Sequence, residues 1–260
     1  MTANDGVSSQ PGVFSQPGVP AHQGVFSQDV FEERSDDRDE QPQYVLPLVV
    51  RLERDAPPAR TDALEAAARA VLLLLADERS HGDGEWAASV RAWQDARIRK
   101  VVRRARGAEW RRAQALTGIT VVGTGPGDRE PAQVRVFPPV PLDGWPKDLA
   151  RLQVSGTELD DPEPPAAPPP GIPVLWFNPA VQMTAGKAMA QAGHAAQLGW
   201  WSLAAVDARA WADDDFPLAV RTASPQRWEK LVATDLPTVR DAGFTEIAPG
   251  SVTAIAELKR

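Results

Sequence analysis

The chain of 260 residues is 43% hydrophobic, contains no Cys and three His, and has a formal net charge of -7. A chain of this length holds one or two domains, and the missing Cys removes disulfides, thiolate nucleophiles and Cys-ligated zinc or iron–sulfur centres. The apolar run Val71 to Ala76 falls far short of the roughly 18 residues of a membrane span, and the N-terminus lacks a basic-then-apolar signal layout, so the sequence reads as a cytoplasmic protein with no membrane partner.

Residues 1–43 repeat Gly-Val-Phe-Ser-Gln at 12–16 and 24–28 and then turn acidic from Asp29 to Glu40. Such a composition cannot bury enough apolar surface to offset ordering, and a disordered tail is expected. A first lobe follows over 44–152, with a strand Val45 to Leu52 and an Ala-rich helix from about Thr61. It is the basic part of the chain, and Arg97, Arg99, Lys100, Arg103, Arg104, Arg106, Arg111 and Arg112 oppose the single acid Glu109. These residues form a candidate footprint for a polyanion. Gly123 to Gly127 lacks the Lys-Ser/Thr of a phosphate loop and the spacing of a dinucleotide fingerprint, so no cofactor is assigned. Residues 153–171 carry four acids and no base, and the run Asp160 to Pro170 is rich in Pro, which predicts an extended spacer.

The second lobe spans 172–260. Ile172 to Phe177 suits a buried strand, and a helix from about Ala185 to Trp201 is capped by Thr184. Strand Pro217 to Thr222, helix Pro225 to Ala233 with Ser-Pro at its start, and strands Pro237 to Arg240 and Val252 to Glu257 complete it. The alternation predicts an α/β fold, a mixed sheet with helices on both faces.

Lys187, Gln191 and His194 stand at i, i+4 and i+7 on the first helix of this lobe and share one face. Lys187 also lies in the first helical turn, where free N–H groups favour an anion. Fifty residues on, Arg240-Asp241-Ala242-Gly243-Phe244-Thr245-Glu246-Ile247-Ala248-Pro249-Gly250-Ser251 joins two strands. Together with Met183 to Ala195, this segment closely resembles the archaeal and eukaryotic-type peptidyl-tRNA hydrolases, over essentially the whole second lobe. The resemblance implies hydrolysis of the ester joining a peptide to the 3′ end of tRNA, without metal or cofactor. It places Lys187, Gln191, His194, Asp241 and Thr245 in the active site. By residue type, a carboxylate at Asp241 can accept a proton from water, with Thr245 holding the water or the carboxylate and Lys187 supplying positive charge to a phosphate or the oxyanion, while the sequence leaves open which group activates the water. Gln191 would orient the ester carbonyl, and His194 reads as a helix-packing group rather than the base. The chain departs from the family pattern at Ala180, Thr184 and Ala185, and at Arg240, which either restores a basic group beside Asp241 or disrupts the site; Arg240 joins Arg97, Arg99, Lys100, Arg103 and Arg104 as a candidate tRNA contact.

Shifted by 118, residues 98–137 match 216–255 without a gap at ten of forty positions, from Val102/Val220 and Arg103/Arg221 to Pro131/Pro249 and Val134/Val252. The first lobe therefore reads as a degenerate copy in which Gly123 and Gly127 replace Asp241 and Thr245, and Thr61, Glu65 and Ala68 replace Lys187, Gln191 and His194. The family usually forms homodimers, so the expectation is a monomeric internal pseudo-dimer, with a homodimer as the alternative. The competing functional reading is a non-catalytic tRNA-binding or scaffold protein on the same fold.

Overall fold

The computed structural model describes residues 41–242 and 247–258. Residues 1–40 of the expected tail 1–43, and Thr245, lie outside them. In chain order the first lobe comprises β1 (Tyr44–Arg51), α1 (Arg60–Ala76), a 3-10 turn (Glu78–Ser80), α2 (Ala87–Asp95), β2 (Arg99–Ala105), α3 (Gly107–Ala115), β3 (Ile119–Val122), β4 (Gln133–Val136), β5 (Val140–Pro141) and α4 (Lys147–Ala150). The second comprises β6 (Val174–Phe177), α5 (Ala185–Ser202), α6 (Ala205–Asp213), β7 (Ala219–Thr222), α7 (Pro225–Val232), β8 (Thr238–Arg240) and β9 (Val252–Glu257). No helix among the described residues is long and apolar enough to cross a membrane.

The fold is α/β with two mixed sheets. The first has strand order β2-β1-β4-β3, with β5 pairing on β1, and the second has order β7-β6-β9-β8. In each, the first two strands of the lobe are parallel and the remaining path pairs are antiparallel. Strand β1 is central and buried on both faces, which explains its near-continuous apolar run. Its Pro47, which cannot donate to a ladder, falls where β1 changes antiparallel partner from β5 to β4.

The register of the two sheets corrects the gapless alignment. Val121 pairs with Val134, whereas Val239, its counterpart at a shift of 118, pairs with Ala254. The last strands are thus related by 120: Arg240 pairs with Val252 where Val122 pairs with Gln133, so the loop that carries Asp241 is one residue longer than its counterpart, and the second extra residue falls in the register irregularity between Val252 and Ala254. Pro131/Pro249 and Val134/Val252 are coincidences of letter, while Trp110/Trp228 and Ala105/Ala223 occupy the same place on the outer face of each sheet.

Helices α1 and α5 form the layer between the sheets. α1 is apolar almost all round, as a helix buried on every side must be, and one core cluster runs through both lobes. The two helices run parallel: Arg60 reaches the Met183 carbonyl at one end, and ten residues along α5 a Cβ built on Gly193 would lie 2.9 Å from Val71 Cγ2. Glycine is required at 193 because the crossing leaves no room for a side chain. The contacts between lobes are reciprocal: Glu65 of α1 accepts from Val220 N (3.0 Å) and Arg221 Nη1 (2.6 Å) on β7, while His194 and Gln197 of α5 meet Lys100 on β2. Burial pushes the Glu65 carboxyl up from its ordinary value, against the pull of the Val220 N–H and Arg221.

The Pro-rich linker is not the free spacer its composition predicts. Arg104 binds Ser155 O at 2.9 Å, Thr157 is buried against Gly186, Asp161 accepts from Thr61 N and Oγ1, both at 2.8 Å, and Arg221 reaches Ala166 O at 2.9 Å. Hydrogen bonds from both lobes hold it down, which composition alone does not reveal.

Candidate active site

Helix α5 starts where its sequence predicts, with the Thr184 hydroxyl accepting from Lys187 N at 3.4 Å. The i, i+4 spacing then turns Lys187 and Gln191 toward the root of the β8–β9 loop. There Asp241 is fixed through its backbone, donating from N to Ser251 O (2.9 Å) and accepting at O from Gly250 N (2.7 Å). Lys187 Nζ forms an ion pair with Asp241 Oδ2, and Gln191 Nε2 donates to the same oxygen at 2.9 Å. The Asp241 side chain is 3% exposed and that of Lys187 17%. A carboxylate so deeply placed is tolerable only with a charged partner and further hydrogen bonds.

Gln191 is itself oriented. Thr253 on β9 donates its hydroxyl to Gln191 Oε1 at 2.6 Å, so the amide must present its NH2 to Asp241. Thr253 was absent from the expected set, yet it is the one hydroxyl in the strand Val-Thr-Ala-Ile-Ala-Glu and is fully buried. A polar residue within a buried strand was the available signal.

Of the five residues expected together, the described structure unites Lys187, Gln191 and Asp241. His194 does not join them: seven residues of helix advance about 10 Å along the axis, and its ring turns to the lobe interface, where Nδ1 lies 3.1 Å from Lys100 Nζ. Burial, with Lys100 and Lys187 nearby, drives the His194 pKa well below its ordinary value, so the ring is neutral.

The expected tRNA contacts divide. Lys100 is a correction, because the period of two along β2 turns it and Val102 inward. Its ammonium lies 2.5 Å from Gln197 Oε1, 3.4 Å from Ile98 O and 4.8 Å above the Trp93 ring, and burial drives its pKa far below the usual lysine value. Arg103 binds Ala150 O at 3.2 Å and Leu152 O and stacks on Trp145 at 4.3 Å. Arg104 binds Ser155 and Gln153, so Arg104 holds the start of the linker and Arg103 the last turn of the first lobe before it. Arg97 and Arg99 are half-buried on and before β2, and Arg240 is exposed at the end of β8 beside Asp241.

At the corresponding corner of the first lobe the roles of helix and loop are exchanged. Asp62 of α1 accepts from Thr124 N (2.7 Å), Thr124 Oγ1 (3.1 Å), Gly125 N (3.2 Å) and Ala132 N (2.8 Å). A Cβ on Gly123 would lie 2.3 Å from Asp62 Oδ2. The loop is pinned by a carboxylate from the helix, and every described polar contact of that carboxylate is to the loop. Comparison with protein-family models and with curated proteins gives no match.

Proposed function

We propose that the chain hydrolyses the ester between a peptide, or an N-blocked aminoacyl group, and the 3′ end of tRNA, and that the first lobe is a degenerate copy completing an internal pseudo-dimer. The observation that carries this reading is the convergence of Lys187 and Gln191 on one carboxylate oxygen of Asp241, 54 and 50 residues further along the chain. In the proposed reaction water attacks the ester carbonyl carbon and its proton passes to the Asp241 carboxylate. The Lys187 ammonium, released from its ion pair as Asp241 is protonated, stabilises the oxyanion. Collapse breaks the bond to the ribose oxygen, which recovers the proton from Asp241, leaving a free 3′ hydroxyl and a peptide carboxylic acid that ionises. His194, neutral and turned to Lys100, takes no part in proton transfer.

An open groove lined by Asn178, Pro179, Ala180, Pro225, Trp228 and Glu229 adjoins this corner. Asn178 links the two, since its Nδ2 donates to Val252 O at 2.8 Å, next to Thr253. The half-buried Trp228 ring offers a face on which a terminal base can stack.

The non-catalytic reading draws support from the same ion pair, because a carboxylate tied to an ammonium is also a structural clasp. Turnover of an N-blocked aminoacyl-tRNA by the purified chain separates the two. Asp241→Asn and Lys187→Ala should each reduce kcat/KM by about a hundredfold or more, with retained fold checked by circular dichroism. Wild-type protein that binds tRNA without turnover would establish the clasp.

A further inference from the structure

The second lobe carries eight basic and nine acidic residues, so an RNA held at its site needs positive charge from elsewhere. Of the basic segment on β2, Lys100 is interior, and Arg103 and Arg104 are engaged by the chain from Ala150 to Ser155. Because α1 and α5 run parallel, the N-terminus of α1 lies at the same end of the molecule as Lys187. Two arginines of the first lobe gather there. Arg60 Nη2 donates to Met183 O at 3.2 Å, two residues before α5, its one side-chain hydrogen bond among the described residues. Arg129 Nη1 donates to Pro57 O at 3.0 Å, and its Nη2 pairs with Asp160 Oδ1 at 3.1 Å. Asp160 also ties its own carbonyl to Arg60 N at 2.9 Å. Its carboxylate is 77% exposed, so this ion pair contributes little to stability and can be exchanged.

The linker brings Asp160 there by passing the start of α5. Thr157 is buried against Gly186, which precedes Lys187, and Glu158, Asp160, Asp161 and Glu163 follow within six residues. Resting on the tRNA reading above, we infer that Arg60 and Arg129 form a phosphate-binding position for RNA engaged at Lys187 and Asp241, and that Asp160 occupies it in the resting protein. Guanidinium groups match a phosphodiester in charge and in geometry, and a phosphate displacing Asp160 takes over its bond to Arg129.

The test is the affinity of a tRNA transcript ending in CCA, measured by fluorescence anisotropy across a salt series. The Arg60→Gln/Arg129→Gln double variant should bind about tenfold more weakly and show a salt slope smaller by about 0.7 for each lost contact. Asp160→Asn should bind severalfold more tightly. It should keep its melting temperature, because the side chain that caps α1 is that of Asp161, and Asp160 meets the helix only through its carbonyl, which the substitution leaves in place. Wild-type protein that does not bind the transcript, an Asp160→Asn variant no tighter than wild type, or a double variant with an unchanged salt slope overturns the inference. Tight, variant-sensitive binding without ester cleavage would leave the phosphate position standing and remove the catalytic reading. Cleavage with binding indifferent to all three substitutions would do the reverse.

Discussion

Lys100 meets only neutral partners among its described contacts: the His194 ring, the Gln197 amide, the Ile98 carbonyl and the Trp93 face. Burial depresses its pKa in the folded state, whereas the unfolded chain titrates near 10.4. Between those two values the unfolded state binds the extra proton, so stability rises with pH across that window, by up to about 1.4 kcal/mol per unit. His194 has the same sign in a lower window, and its stability contribution falls away as pH drops below about 6.5. Denaturant unfolding at pH 7 and pH 10 should show wild type gaining at least about 1 kcal/mol and Lys100→Met nearly flat; parallel curves would show that Lys100 stays charged in the fold. At this scale the sequence was legible where spacing along one helix carries the information, as for Lys187 and Gln191. It was illegible where a strand's inward face decides, as for Lys100, or where the partner comes from another element, as for Thr253, Asp62 and Asp161.

The central helices translate those placements into packing. Ala188, Ala192, Gly193, Ala195 and Ala196 of α5 are buried, and at Gly193 the helix passes close against Val71 of α1. A Gly193→Leu substitution would drive a side chain into Val71 and the Lys100 stem and should lower stability by about 3 kcal/mol, read as a lower denaturant midpoint. Asp62→Ala tests the other end of α1, since it strips an acceptor from three backbone N–H groups and a hydroxyl. A loss of about 3 kcal/mol is expected, and a loss below 1 kcal/mol would show that the loop holds itself. Most elements of the second lobe were legible to within two residues, because Thr184 and Ser-Pro mark helix starts and apolar runs mark strands. Helix α6 was not. Its only buried residue is Trp211, so no apolar stripe announced it.

At the scale of the whole molecule, composition divides the chain into two lobes and a spacer, but the buried core does not respect that division. Leu64, Val71 and Leu75 of α1 share one cluster with Met189, Ala192 and Ala196 of α5, and each lobe's helix reaches the second strand of the other. A lobe expressed alone would expose the apolar face of its central helix, an area that isolated domains rarely tolerate. Residues 172–260 alone should therefore self-associate through α5 or fail to unfold cooperatively, and adding the separately produced 41–171 should restore a single transition. The linker tests the same idea from the other side. A protease site placed between Pro164 and Pro170, beyond Asp161, leaves its cap on α1 and most of the other linker contacts in place, so the cut chain should remain associated in size-exclusion chromatography, with its melting temperature lowered by only a few degrees. A monomeric, cooperatively folding 172–260 fragment, or nicked lobes that separate, would show that the shared core is dispensable and that the lobes are independent domains.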